Sequence, residues 1–188
     1  CHSPYEALAV AILGRAQRLI TSFNAQPGDA LVLLTDFEGQ PHPRYPFWDA
    51  ATQADPNRLR AKLDLLPQWA AAGWCDAGKD VSMGGILGTA LMLLETSGCG
   101  AVLDLAAVPC PAGLPLEKWL LNFPSYGFLL SVRPEQFDPI RAQAGAFGLV
   151  CDRIGTVVSD RRLQLQQGAE SVCFWDFEAE PLTGFAVR

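Results

Sequence analysis

A mixed β-sheet with helices packed on it, an α+β or α/β layering, is what this 188-residue sequence predicts. Three observations predict it. Short apolar runs bounded by turn residues, such as Ala30 to Thr35, have the length and composition of buried strands. Between them lie segments with helical spacing, the clearest being Leu59, Leu63, Leu66 and Trp69. The two kinds alternate along the chain, which is the order that produces helices layered on a sheet. No internal repeat, low-complexity segment or domain linker interrupts it, so residues 1–188 are expected to form one domain.

Each element has its own warrant. Leu8 to Leu13 is a continuous apolar run ending at Gly14, as in a buried strand, and Leu19 to Phe23 extends the sheet after a bend. Gln26-Pro27-Gly28-Asp29 is a turn by composition, and Ala30 to Thr35 the next strand. Gly39 to Pro46 carries three prolines and His42 and is expected to be an ordered surface loop. Asp55-Pro56 supplies an N-cap followed by a proline at the first helical position. That helix runs to about Ala72, with a kink expected at Pro67 and a stop at Gly73. Cys75 to Gly78 is a short connection. Ile86 to Ser97 is a helix, apolar all round before Glu95, which demands cover on both sides, and Gly98 stops it.

Ala101 to Leu105 is a weakly alternating strand, and Pro109, Pro111 and Pro115 mark a loop before a short helix, Leu116 to Leu121. Tyr126 to Val132 is a buried strand whose Gly127 signals close backbone approach. Arg133-Pro134-Glu135 opens a helix lasting to about Phe147. Leu149 to Ile154 is a strand turned by Gly155 to Val158, and Leu163 to Gln166 with Ser171 to Phe174 forms a hairpin around Gln167-Gly168. Glu178 to Arg188 is weakly patterned. Asp36 and Asp104 end or interrupt strands and are expected to be solvated.

Composition narrows the function classes. Hydrophobic residues make up 49% and charged residues 18%, enough apolar surface for a sizeable core. A net charge of -6 without any Lys/Arg run argues against a nucleic-acid partner. No apolar stretch approaches the roughly 18 residues of a membrane span. No signal peptide is visible, and the start at Cys1 rather than methionine suggests a fragment or a trimmed chain. The six cysteines form no C-x-x-C pair, and His2 and His42 lie at no metal-ligand spacing, so no metal site is expected. Buried reduced thiols favour a cytoplasmic setting.

The stretch Lys79-Asp80-Val81-Ser82-Met83-Gly84-Gly85 carries the chemistry. It runs into the helix at Ile86, where unpaired backbone N–H groups and the positive end of the helix dipole face the preceding turn. Paired glycines let an anion approach those N–H groups. Lys79 adds a positive charge, and Asp80 can hold a cation or a hydroxyl. The pattern describes a phosphate or carboxylate seat formed by Lys79, Asp80, Ser82, Gly84 and Gly85. It is not a Walker loop, because the lysine precedes the glycines. The plainer alternative is that Gly84-Gly85 permits tight packing and Ser82 is an N-cap. Asp49, beside the aromatics Phe47 and Trp48, is either a helix cap or part of a loop folding over a cleft. Tyr126 either stacks on a ligand or packs in the core.

The ordered set of segments resembles the carboxy-terminal domain of the aminoimidazole ribonucleotide (AIR) synthetase superfamily. That superfamily includes selenophosphate synthetase, thiamine-monophosphate kinase, a hydrogenase maturation factor and formylglycinamide ribonucleotide amidotransferase. The residues carrying the resemblance are His2-Ser3, like the end of a G-G-H-[ST] motif, then Ala9 to Gly14 and Pro27-Gly28-Asp29-Ala30-Leu31. Asp80 to Gly85 is similar to the D-[VI]-[ST]-x-G-G loop, and Phe123-Pro124-Ser125-Tyr126-Gly127-Phe128 to the segment before a core strand. Lys79 matches the AIR synthase-related branch alone. The resemblance covers roughly residues 1–160.

It implies a three-layer α/β/α domain with a mixed sheet, partly ferredoxin-like. It also implies use of ATP and Mg²⁺ to phosphorylate an oxygen or selenium on a small-molecule substrate, with most ATP and Mg²⁺ carboxylates on an amino-terminal domain of the same protein. That domain is the implied partner, with a homodimer as a further option. Lys79, Asp80, Ser82, Gly84 and Gly85 then face phosphates or substrate, and His2, Ser3, Asp49, Ser125 and Tyr126 lie near the cleft. The acidic residue of the kinase members is replaced around Ser125-Tyr126, which argues against thiamine-phosphate or carbamoyl-transfer chemistry. No cysteine stands where selenium would be handled. The expected function is one wall of a phosphoryl-transfer cleft in an ATP-dependent synthetase or kinase, inactive as an isolated chain. The alternatives are a non-catalytic anion or small-ligand binding module with a regulatory role, and a structural fragment.

Overall fold

The structure is a computed structural model and describes residues 9–185. Its centre is β1 (Ala30–Thr35), where every residue is buried because the strand has neighbours on both edges and helices over both faces. Side chains alternate across a strand. Leu31 and Leu33 therefore join one core, and Ala30, Val32 and Leu34 join the other.

Strand β1 leads through β2 (Gln40–Pro41) and β3 (Phe47–Asp49) into α1 (Pro56–Leu63). Asp55 starts that helix by accepting from the N–H groups of Asn57 and Arg58, with Pro56 behind it. The chain then breaks at Asp64 and resumes as α2 (Leu65–Ala72). The interruption falls at Asp64 and not at the expected Pro67, because Pro67 sits in the first turn of α2, where a missing N–H leaves no bond unmade. Gly73 ends α2 in the left-handed conformation. Next comes β4 (Ala77–Asp80), so Lys79 and Asp80 lie at the end of a strand and not in the loop that the sequence suggested. Helix α3 (Gly85–Ser97) has no exposed residue, as its all-round apolar sequence required.

The remaining elements are β5 (Gly100–Asp104), α4 (Leu116–Leu120), β6 (Phe123–Pro124), β7 (Gly127–Val132), α5 (Pro134–Ala146), β8 (Val150–Val158), β9 (Arg162–Gln167) and β10 (Glu170–Asp176). Seven strands form one sheet in the order β10-β9-β5-β8-β1-β7-β4, with β2, β3 and β6 in a small second sheet. Pairing is antiparallel throughout the large sheet except between β5 and β9. Within it β8-β1-β7-β4, with α1 and α2 following β1 and α5 following β7, is a ferredoxin-like split βαβ arrangement. Helices α3 and α4 cover one face, and α1, α2 and α5 the other. This is the three-layer α/β/α mixed sheet.

Two expected strands need correction. Residues 9–13 are neither paired nor buried, with Val10 73%, Ile12 90% and Leu13 99% exposed. An apolar run becomes a strand only beside another strand, and this run has none among the described residues; Leu8 lies outside them. From Leu19 to Phe23 the only ladder contact among the described residues is a single bridge from Thr21 to Ala77. Conversely, Gly155 to Val158 does not turn the chain but continues β8. Gly155 is needed there for proximity, since a Cβ would strike the Val102 carbonyl oxygen of the neighbouring β5. Among the described residues no helix is long and apolar enough to cross a membrane.

Candidate functional site

The Lys79–Gly85 segment leaves the sheet where β4 ends against the start of β7, fixed by a bond from Val81 N–H to the Gly127 carbonyl at 2.9 Å. Its polar groups are partly engaged. Lys79 Nζ lies 3.0 Å from Asp80 Oδ1, so the expected mobile cation is held by its neighbouring carboxylate. Ser82 does not cap α3. Its own N–H donates to Thr89 Oγ1 at 3.2 Å, and its carbonyl accepts from Gly85 N–H at 2.9 Å. Gly84 stands at the N-cap with φ +95 and makes no side-chain cap. The N–H groups of Met83 and Gly84 have no acceptor among the described residues, and both residues are exposed. This is the open part of the proposed anion seat.

The two glycines differ in kind. Gly84 has a positive φ and faces open space, with only Gly88 Cα at 3.4 Å from where a Cβ would stand. Gly85 is buried with φ +66, and a Cβ there would lie 2.5 Å from the Leu121 carbonyl carbon. The end of α4 occupies the space that Gly85 leaves, so this glycine packs one helix against another. Gly84 keeps the route to the amides clear.

The other expected site residues divide. Ser125 is exposed, and its Oγ accepts from Ala50 N–H at 2.9 Å, tying the start of β7 to the loop after Asp49. Asp49 Oδ1 accepts from the N–H groups of Ala51 and Thr52, so it caps a turn and no helix. The hydrogen bonds from Thr52 hold its carboxyl below the usual value. Tyr126 is 1% exposed and belongs to the core. Its hydroxyl donates to the Lys62 carbonyl at 2.8 Å, and burial pushes its pKa up, so it stays neutral and is committed to the interior. His2 and Ser3 lie outside the described residues.

Sequence reasoning missed a cavity of about 530 Å³ lined by Asp36, Glu38, Asp49, Asp55, Arg58 and Lys62, among others. Asp36 is not solvated as expected. Its side chain is 2% exposed and paired with the Lys62 ammonium, itself 4% exposed. The two residues stand on different elements, and only the fold brings them together.

Of the groups that the resemblance implies, phosphate finds matching donors in the Lys79–Gly85 segment. The unengaged amides of Met83 and Gly84 at the start of α3 suit a phosphate oxygen. For Mg²⁺ the Lys79–Gly85 segment offers one carboxylate, Asp80, and no three His, Cys, Asp or Glu side chains among the described residues cluster as a ligand set, so an ion held there would take at most one carboxylate from this segment.

Residues 26–168 match the family described as AIR synthase related protein, C-terminal domain. The chain belongs to this family. The AIR synthase-related domain is 58% identical over 185 residues to an uncharacterised protein from Synechocystis sp., a match covering 98% of this chain and 58% of that protein. It is 32% identical over 180 residues to an uncharacterised protein from Methanocaldococcus jannaschii, covering 94% of this chain and 56% of that one. It therefore spans less than two thirds of the length of these relatives.

Among solved structures, PurL from T. maritima complexed with ADP superposes with a TM-score of 0.65 at 18% identity, over 81% of this chain and 25% of that one. Thiamine-monophosphate kinase from Stenotrophomonas maltophilia does so with a TM-score of 0.60 at 20% identity, over 82% and 54%. At these identities the likeness establishes the fold.

Proposed function

We propose that this domain forms one wall of an ATP-dependent phosphoryl-transfer cleft, closed in the full-length protein by an amino-terminal domain, and that the chain alone is inactive. The observation carrying this reading is the open start of α3, where Met83 and Gly84 present unengaged N–H groups beside a glycine with clear space around it. Family membership and a fold shared with PurL, solved in complexes with ADP and with ATP, support it.

Phosphoryl transfer needs positioning and neutralisation of charge on the transferred group more than covalent help from the protein. Bound there, ATP supplies the phosphoryl group. Met83 and Gly84 donate N–H groups to one of its oxygens, aided by the α3 dipole. Lys79 and Asp80, held to each other at 3.0 Å, precede these amides at the end of β4. An anion arriving there competes with Asp80 for the Lys79 ammonium. Ser82 keeps the turn in shape through Thr89 and leaves the donation to its neighbours.

The test uses the full-length protein, titrated with ATP and Mg²⁺ as wild type, Asp80→Ala and Gly84→Val. Weaker nucleotide binding in Gly84→Val with retained far-UV circular dichroism, and lower turnover in Asp80→Ala, are expected. Unchanged binding and turnover in both variants would refute the proposal. Binding without turnover in the wild type would point instead to a non-catalytic ligand-binding role.

A further inference from the structure

The cavity at the end of β1 contains an ion network that the phosphoryl-transfer reading does not use. Its inner part is Lys62 with Asp36, both nearly enclosed. Its outer part is Glu38, whose carboxylate is 53% exposed and lies 2.9 Å from Arg58 Nη2 and 3.2 Å from Lys62 Nζ. Hydrogen bonds from Lys62 and then Arg58 hold the Glu38 carboxyl below its ordinary value.

The lining carries four carboxylates against two cations, which on simple counting disfavours an anion. The local partners change that conclusion. Asp36 is matched by Lys62, Asp49 by the amides of Ala51 and Thr52, and Asp55 by the first amides of α1. Arg58 has Glu38 alone among the described carboxylates, and its Nε and Nη1 bond to no described group. Lys62 uses two of its three N–H donors.

Glu38 hangs from a tight turn, with its N–H on Asp36 Oδ1 at 2.9 Å and Gly39 N–H on the Phe37 carbonyl at 2.9 Å. Exposed ion pairs of this kind are weak and easily replaced. Gly148, with φ +74, keeps room beside the guanidinium, since a Cβ there would stand 3.0 Å from Arg58 Nη2.

We infer that this cavity is a second anion pocket, distinct from the start of α3, and that Glu38 is a resident carboxylate occupying it. The carboxylate or phosphate group of a small ligand displaces Glu38 and takes Arg58 Nε and Nη1, together with the spare Lys62 N–H. The sign of the consequence is unusual. Removing the charge of Glu38 strengthens anion binding, whereas a merely structural Glu38 would leave it unchanged.

The experiment follows the Arg58 Nε–H resonance by NMR, assigned through its loss in Arg58→Gln, while the whole chain is titrated with inorganic phosphate and, separately, with acetate. Sodium chloride at matched ionic strength is the control. Both Glu38 and Arg58 are half exposed, so the variants are expected to fold, with circular dichroism as the check. In Glu38→Gln at least one anion binds about fivefold more tightly than in wild type, the upper worth of an exposed pair. The response disappears in the double variant with Arg58→Gln, when followed by neighbouring amides. Whether phosphate, acetate or both respond names the ligand group. Equal affinity in wild type and Glu38→Gln overturns the inference, and so does a response that sodium chloride reproduces. Gly84→Val leaves the Arg58 response intact, so failure here and failure at α3 are separable.

Discussion

Replacing Gly85 by alanine separates the two reasons for a paired glycine. The residue sits at φ +66, in the left-handed region, where a Cβ costs about 1–2 kcal/mol. The added methyl group also meets the Leu120 carbonyl oxygen and stands 2.5 Å from the Leu121 carbonyl carbon. These are backbone atoms and cannot swing aside, so α3 and α4 must separate, an overpacking penalty of about 1–3 kcal/mol. Together Gly85→Ala loses about 2–5 kcal/mol, or roughly 4–20 °C in Tm for a chain of this size. Gly84→Ala at φ +95 meets only Gly88 Cα at 3.4 Å and incurs the backbone term alone, about 1–2 kcal/mol. Urea unfolding of both variants against wild type, with equal m-values, measures the difference directly. The reasoning is refuted if Gly85→Ala is no more destabilising than Gly84→Ala.

Three further outcomes are expected. Glu95, 1% exposed, accepts from the N–H groups of Leu182, Thr183 and Gly184 and from the Thr183 hydroxyl. Burial pushes its carboxyl up, but these bonds prevail and its pKa falls below the ordinary 4.5. A carboxyl lowered on folding contributes stability above its unfolded value and loses it as the pH drops through the folded one. Glu95→Gln should therefore reduce stability by about 1.5–3 kcal/mol near neutrality and flatten the acid limb of a urea-midpoint profile between pH 3 and 7. Lys62→Met strands the buried Asp36 carboxylate and should cost about 3–5 kcal/mol, with much of that loss recovered by adding Asp36→Asn in a denaturation experiment. Iodoacetamide with mass spectrometry should modify exposed Cys173 in the native state, while Cys75, Cys99 and Cys151 react only after unfolding. Burial raises those three thiols to about 12, 11 and 12 respectively, leaving almost no thiolate at neutral pH.

What the sequence disclosed followed the range of each interaction. Strand β1 was legible to the residue because its five apolar residues and Thr35 are bounded by a Pro-Gly turn and an aspartate, all local signals. The start of α1 was legible because Asp55 caps it within three residues. The run at residues 9–13 had the same local signature as β1, yet burial of a strand depends on a neighbour that residue order does not reveal. Gly155 carried a turn-like signal, but its real partner is the Val102 backbone, 53 positions earlier. At the site, the glycine loop was visible as spacing, whereas the cavity depends on Asp36 meeting Lys62 across 26 residues. The one local hint of that pair was an aspartate closing an apolar strand.

The segment Phe123–Tyr126 connects the two candidate sites. Ser125 donates its N–H to the Trp48 carbonyl at 2.9 Å and receives the Ala50 N–H at its Oγ, which fixes the cavity wall that Asp49 and Ala50 form. Two residues on, the Gly127 carbonyl holds Val81, where the glycine loop begins. A Cβ on Gly127 would strike the Pro124 ring, so the bend between these two attachments is closed sterically as well as by hydrogen bonds. Ser125 and Tyr126 therefore matter through position: one clamps the loop carrying Asp49, and the other anchors α1 through the Lys62 carbonyl. A displacement of Phe123–Tyr126 would reach the glycine loop on one side and the Glu38 cavity on the other. This gives a physical reason for the aromatic-proline-serine string to accompany the glycine loop in a single chain.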